Sequence, residues 1–187
     1  MRFFKQEFEG LLRRFGYISK KEETTYWRDK HFYPMGEFRP EDVFIVGYPK
    51  SGNTWMQHIT ASLLFGIRPE FMPDKLVQEL VPQIYVTKYF KRFLPFTCFT
   101  SHELPRPDFK KVIYLIRDAR DVMASYYAMN VALKREVTLK EMIVEGKTLF
   151  PCKWHQHIRA WKENEFEADI LTVRYEDLIN SPKTTLK

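Results

Sequence analysis

Apolar residues in this chain gather in short unbroken runs, and most of these runs are followed by a stretch with helical spacing. Positions 42–48 (DVFIVGY), 97–101 (TCFTS), 111–117 (KVIYLIR) and 169–175 (DILTVRY) are predicted to be short buried strands. Three of them are near-continuous rather than alternating, as expected of strands covered on both faces of a parallel sheet. Helices are predicted over 53–65, 118–133, 139–145 and 151–163. In the last of these, Trp154, Ile158 and Trp161 fall at i, i+4 and i+7 and form one apolar face. The alternation predicts an α/β fold: an open, mainly parallel sheet flanked by helices. Positions 69–95 carry four prolines and several aromatics without a clear period, and are expected to be irregular structure near a site or a lid. Ser181 followed by Pro182 is a helix start. Only five residues come after it, so the chain is expected to stop inside an element of a single domain spanning 1–187, with its C-terminal part missing.

Composition changes this picture mainly by limiting the partners. A length of 187 residues fits one domain, and 44% apolar with 29% charged residues fits a packed globule. The 16% aromatic content fits either a ring-lined pocket or an aromatic core. Lys and Arg outnumber Asp and Glu by 30 to 24, which favours anionic ligands. The basic residues are interspersed with acidic ones, so nucleic acid is not an expected partner. Cys98 and Cys152 are too few for a disulfide framework and form no C-x-x-C pair. No apolar signal region follows the opening MRFFKQEFEG, and no run approaches the ~20 residues of a membrane span. The expectation is a cytoplasmic protein without membrane attachment. In CKWHQH (152–157) no second ligand pair accompanies the Cys and His residues, so the segment is read as helix packing and no metal is expected.

The chemistry begins at VFIVGYPKSGNTW (43–55), where a strand runs through a turn directly into a helix. Such a turn presents unpaired backbone N–H groups and the positive end of a helix dipole to one point, which makes an anion site. Gly47 and Gly52 have the spacing of the nucleotide loop G-x-x-x-x-G-K-[ST], but Asn53 stands where that loop has its lysine and Lys50 lies inside the turn. An ordinary triphosphate loop is therefore excluded. Lys50 can set a point charge against an anion, and Ser51, Asn53 and Thr54 add hydrogen-bonding groups. Trp55 fits a core indole or a ring that stacks on a base.

A second motif, RDARDVMASYY (117–127), follows the strand KVIYLIR. Asp118 and Asp121 have capping spacing, which leaves Arg117 at the carboxyl edge of the sheet, where open α/β folds bind ligands. Read alone, Arg117 is an anion ligand or an ion-pair partner of the neighbouring aspartates.

YPKSGNTW, TSHELP and RDARDVMASYY, in this order on successive strand ends, resemble the soluble sulfotransferases that use 3'-phosphoadenosine 5'-phosphosulfate (PAPS). The likeness runs from about residue 26 to 180. It implies a PAPS-dependent sulfotransferase that moves a sulfuryl group to a hydroxyl of a small, hydrophobic alcohol or phenol, releases adenosine 3',5'-bisphosphate (PAP) and needs no metal. It implies that Lys50, Ser51, Gly52, Asn53 and Thr54 hold the phosphosulfate, that Trp55 stacks on the adenine and that Tyr175 contacts its edge. Arg117 and Ser125, eight residues apart, would bind the 3'-phosphate. His102 would be the base that deprotonates the acceptor hydroxyl, with Lys50 neutralising charge on the leaving phosphate.

Two features depart from the family pattern: Thr100 stands where a lysine is usual, and the C-terminal glycine-rich basic motif is absent. The competing readings are a nucleotide-dependent phosphotransferase and a non-catalytic adenosine bisphosphate binding module. The aromatics Tyr85, Tyr89, Phe90, Phe93, Phe96 and Phe99 are candidates for an acceptor pocket or for packing.

Overall fold

A computed structural model of the chain describes residues 20–185; the opening MRFFKQEFEG lies outside the described residues. In chain order the elements are α1 (Lys20–Asp29), β1 (Phe32–Pro34), β2 (Val43–Gly47), α2 (Asn53–Phe65), a 3-10 turn (Pro69–Phe71), α3 (Asp74–Leu80), β3 (Tyr89–Lys91), β4 (Cys98–Ser101) and β5 (Lys111–Ile116). There follow α4 (Ala119–Ala132), a π-helical turn (Glu141–Glu145), α5 (Trp154–Glu163), β6 (Asp169–Arg174), α6 (Tyr175–Asn180) and α7 (Pro182–Thr185).

Four strands form one sheet in the order β4-β2-β5-β6, and every neighbouring pair is parallel. The expected α/β fold with an open parallel sheet is therefore present. The central strand explains why VFIVG is apolar without alternation. Phe44, Ile45 and Val46 are all fully buried, with Ile45 facing Met56, Ala61, Val77 and Leu115 on one side. Phe44 and Val46 face Phe99, Phe109, Tyr114 and Trp161 on the other. Phe44 stacks on Phe109 with ring centroids 4.0 Å apart, and Phe38 meets both Phe44 and Phe99 edge-on at 4.9 Å. Just before β2, the buried Asp42 carboxylate accepts from the Arg92 guanidinium at 2.7 and 2.9 Å and from the backbone N–H groups of Arg39 and Thr97, both at 2.8 Å.

Several predicted elements need correction. Segment 69–95 is only partly irregular: it holds the 3-10 turn, α3 and β3, and β3 pairs antiparallel with β1. In α3, Val77 and Leu80 turn to the core at i, i+3 spacing. From Pro82 to Ile84 the same segment bonds to Thr100, which covers the outer edge of β4. Helix 139–145 is only the π-helical turn. Helix 151–163 starts at Trp154, because the Lys153 N–H donates to the Gln156 side chain at 3.0 Å and sets the first turn there. Tyr175 opens α6 instead of ending β6. Nor is β6 a buried strand: most of its residues are exposed, and among the described residues it pairs only with β5.

Because all four strands are parallel, their carboxyl ends share one edge of the sheet. Register pairs Val46 with Ser101, Gly47 with Leu115 and Ile116 with Arg174. Tyr48, His102, Arg117 and Tyr175, the residues that follow the four strands, therefore line that edge. Since β2 has β4 on one side and β5 on the other, its carboxyl end lies where connections diverge, the usual ligand crevice of such sheets.

Candidate active site

The turn after β2 curls through two left-handed residues, Lys50 at φ 75° and Gly52 at φ 100°. Gly52 is the N-cap of α2 and brings no side chain, so no side chain caps the first-turn amides. The conformation is one only glycine fits here, since a Cβ at Gly52 would lie 2.6 Å from Cδ2 of Tyr175. At Gly47 a Cβ would lie 2.7 Å from Oδ1 of Asn53 and 2.9 Å from Cβ of Leu115. Both glycines are thus required by close approach.

The candidate residues converge on this turn. Arg117 donates from Nη1 to the Lys50 carbonyl at 3.0 Å, and its guanidinium carbon sits 4.2 Å from the centre of the Tyr175 ring. Tyr175 in turn meets Trp55 edge-on at 5.6 Å, and Trp55 remains 38% exposed. The Tyr175 ring is therefore held between a cation and an indole, with Gly52 against its edge. The Ser51 hydroxyl is buried without a partner, as is Nε of Arg117. Two buried polar groups without partners beside an uncapped helix start are a fit for a phosphate-bearing ligand.

The structure places the other candidates as follows. Asn53 is buried and donates its amide to the Ser101 carbonyl at 3.1 Å, which ties α2 to the end of β4. Thr54 is exposed on the first turn of α2. Ser125 is half-buried on α4. Asp118 caps α4 by accepting from the Arg120 N–H at 2.8 Å, and Arg120 holds its carboxyl down at about 2. Asp118 thus pairs with Arg120 while Arg117 turns to the Lys50 carbonyl.

His102 stands immediately after β4. Its Nδ1 is 2.7 Å from the Gly47 carbonyl, an acceptor only, so Nδ1 carries the proton and Nε2 the lone pair. Burial pushes its pKa below the ordinary histidine value, with the Gly47 carbonyl acting in the opposite direction. A neutral imidazole with a free Nε2 is the form that accepts a proton. Thr100, two residues earlier, is buried inside β4.

Sequence reasoning missed what holds His102. His157 of α5 is completely buried, 3.2 Å from the His102 carbonyl through Nε2 and 2.9 Å from the Tyr114 hydroxyl through Nδ1. Trp161, one turn on, donates its indole N–H to the Glu103 carbonyl at 3.0 Å. The apolar face read at Trp154, Ile158 and Trp161 does pack, but His157 shares it, four residues before Trp161, and that spacing was the available signal. Among the described residues no three His, Cys, Asp or Glu side chains gather as a metal site, and no helix is long and apolar enough to cross a membrane.

Of the six aromatics proposed for an acceptor pocket, Phe90 and Phe99 belong to the core. Tyr89 packs on Trp27 and Phe93 on Phe65. Tyr85 differs, being 43% exposed and edge-on to Phe150 at 5.3 Å. Its phenol is pushed up to about 12 by burial and the Glu103 charge, against the Ser101 hydroxyl and the His102 backbone N–H. Tyr85 and Phe150 therefore flank the His102 end of the edge.

A family model described as the sulfotransferase domain matches residues 40–187. Sulfotransferase 1E1 of Rattus norvegicus is 27% identical over 191 residues, which cover 87% of this chain and 61% of the relative. The 3-alpha-hydroxysteroid sulfotransferase of Cavia porcellus is 28% identical over 207 residues, covering 88% and 68%. In fold, the chain is similar to mouse sulfotransferase SULT7A1 complexed with PAP, with a TM-score of 0.52 at 19% identity over 79% of this chain and 56% of that one. A structure of retinol dehydratase with androsterone and PAP is similar to the same degree, TM-score 0.52 at 20% identity over 77% and 57%. The chain thus spans about three fifths of the length of the first of these curated relatives.

Proposed function

This chain belongs to the sulfotransferase family, and we propose that it moves a sulfuryl group from PAPS to a hydroxyl of a small, hydrophobic alcohol or phenol, without a metal. The observation that carries the proposal is the His102–Gly47 bond: it leaves Nε2 basic at the strand edge that also bears the anion turn.

PAPS would supply the activated sulfuryl group. On the donor side, the first-turn amides of α2, the Ser51 hydroxyl and Lys50 receive its phosphosulfate. The Ser51 hydroxyl, Oδ1 of Asn53 and Nε of Arg117 are among the buried polar groups that lack partners. The Tyr175–Trp55 pair offers ring faces and edges to the adenine, and Arg117 with Ser125 takes the 3'-phosphate. On the acceptor side, Tyr85 and Phe150 wall an apolar substrate and His102 Nε2 takes the proton of its hydroxyl. Lys50 and the helix start stabilise negative charge that grows on the phosphate side.

Calorimetric titration with PAP, and with AMP and ATP as controls, tests the donor site: binding should require the 3'-phosphate and be lost in Arg117→Ala. His102→Ala should lower turnover by ~10²–10⁴-fold while PAP binding is unchanged. Retained turnover in His102→Ala, or binding indifferent to the 3'-phosphate, refutes the reading. The buried Thr100 in place of a cation favours a second one, binding of PAP without transfer. Tight PAP binding by a wild-type chain that turns over no acceptor would select it.

A further inference from the structure

The His102 ring and backbone are held by different parts of the fold. The ring is anchored by Nδ1–H to Gly47 at the end of β2. The backbone is anchored to α5, through His157 at the His102 carbonyl and Trp161 at the Glu103 carbonyl. A carbonyl only accepts, so His157 carries its proton on Nε2, and its Nδ1 lone pair accepts from the Tyr114 hydroxyl. The donor direction therefore runs one way: Tyr114 hydroxyl to His157, His157 to the His102 carbonyl.

We propose that His157 is a positioning residue for His102, with Tyr114 fixing the tautomer that lets it act; this rests on the reading of His102 as the base. Three observations point to it. His157 is completely buried, so its bonds face no competition from water. Its ring also lies along Tyr114 and near Trp161, with centroids at 5.8 and 6.5 Å, so it cannot turn freely. And it bonds the carbonyl of His102 itself rather than a neighbouring part of the loop. Burial also holds its pKa at about 4, which keeps it neutral and Nδ1 available to the phenol. Without the His157 bond the His102 carbonyl is freed, and the backbone that carries the ring is tied to α5 only through Trp161 at Glu103. Displacement of a reacting group by ~1 Å is enough to cost about 10²-fold in rate.

The test compares His157→Met, which has similar bulk and no N–H donor, with His157→Gln, whose side-chain amide can still donate to the carbonyl. ¹⁵N spectra of histidine-labelled protein should show the same His102 ring shifts in the wild type and in His157→Gln, and displaced, broadened ones in His157→Met, where the ring moves against the Gly47 carbonyl. Turnover per folded molecule should fall up to about 10²-fold in His157→Met, as for a ~1 Å displacement of a reacting group, with the Kd for PAP unchanged and most of kcat restored in His157→Gln. If His157→Met does not fold, Tyr114→Phe replaces it, since removing one hydroxyl should let His157 interconvert tautomers and produce the same changes more weakly. Wild-type His102 shifts in the Met or Phe variant, or equal kcat in the Met and Gln variants, overturns the inference. Because the spectra need no turnover, they separate failure of this inference from failure of the base assignment, which His102→Ala tests.

Discussion

Gly52→Ala places a methyl group where the structure has room for none, and its effect can be worked from two distances. At φ 100° the backbone is in a region that costs an L-residue about 1–2 kcal/mol. The new Cβ would lie 2.6 Å from Cδ2 and 2.9 Å from Cε2 of Tyr175, roughly 1 Å inside the ~3.5–4.0 Å optimum for two carbons. Relieving such overpacking costs about 1–3 kcal/mol. The lower entropy of an unfolded chain carrying alanine offsets up to about 1 kcal/mol, which leaves a net loss of about 1–5 kcal/mol. The ring that must move carries Arg117 at 4.2 Å and Trp55 at 5.6 Å, so the damage should also reach the donor side of the turn. Urea unfolding and PAP titration of Gly52→Ala, Tyr175→Ala and the double variant form the assay. The clash should appear as a coupling of about 1–3 kcal/mol, because removing the ring removes the overlap but not the backbone strain. A Gly52→Ala chain within about 0.5 kcal/mol of wild type, or additive single variants, would refute the argument from close approach.

Two further outcomes are expected. Asp42→Ala should destabilise the fold by about 3–5 kcal/mol in urea titration, because it leaves the Arg92 guanidinium buried with its carboxylate partner gone; a loss below about 1 kcal/mol would contradict the burial. Stability should fall as pH drops from about 6.5 to 4, since the unfolded His157 binds a proton near 6.5 and the native one only at about 4. The contribution is fully present above the unfolded value and amounts to about 3 kcal/mol at most; unfolding at several pH values should show a shallower slope in His157→Gln.

The strand-turn-helix at the heart of the site was legible because every local signal agrees. VFIVG is apolar on both faces, Gly47 and Gly52 mark the turn, and Asn53–Phe65 ends at Gly66, whose left-handed backbone closes the helix. The carboxyl-edge positions of His102, Arg117 and Tyr175 followed from parallel strands alone. What could not be read lies in pairings between distant positions. The partners of His157 are 43 and 55 residues away in sequence, and no periodicity reports them. Strands β1 and β3 have three residues each, too short to show a period, and are defined by each other. The aromatics of 85–99 look alike in sequence, yet Phe90 and Phe99 fill the core while Tyr85 faces outward. Phe99 is placed by the register of β4 on β2 and Phe90 by that of β3 on β1.

The two outer edges of the sheet are finished differently, and this bears on how the chain behaves in the test tube. Beside β4 the segment from Pro82 to Ile84 takes up the free backbone groups of Thr100. Beside β6 nothing among the described residues does so, and Leu171 stands 61% exposed there. A strand with unpaired amides and an apolar side chain is a template for adding another strand. Arg174 and Asp169 at its two ends supply charge against such stacking, but the middle of the strand, Ile170 to Val173, has none. Self-association of this chain at high concentration should therefore begin at β6, on the opposite side of the sheet from β4.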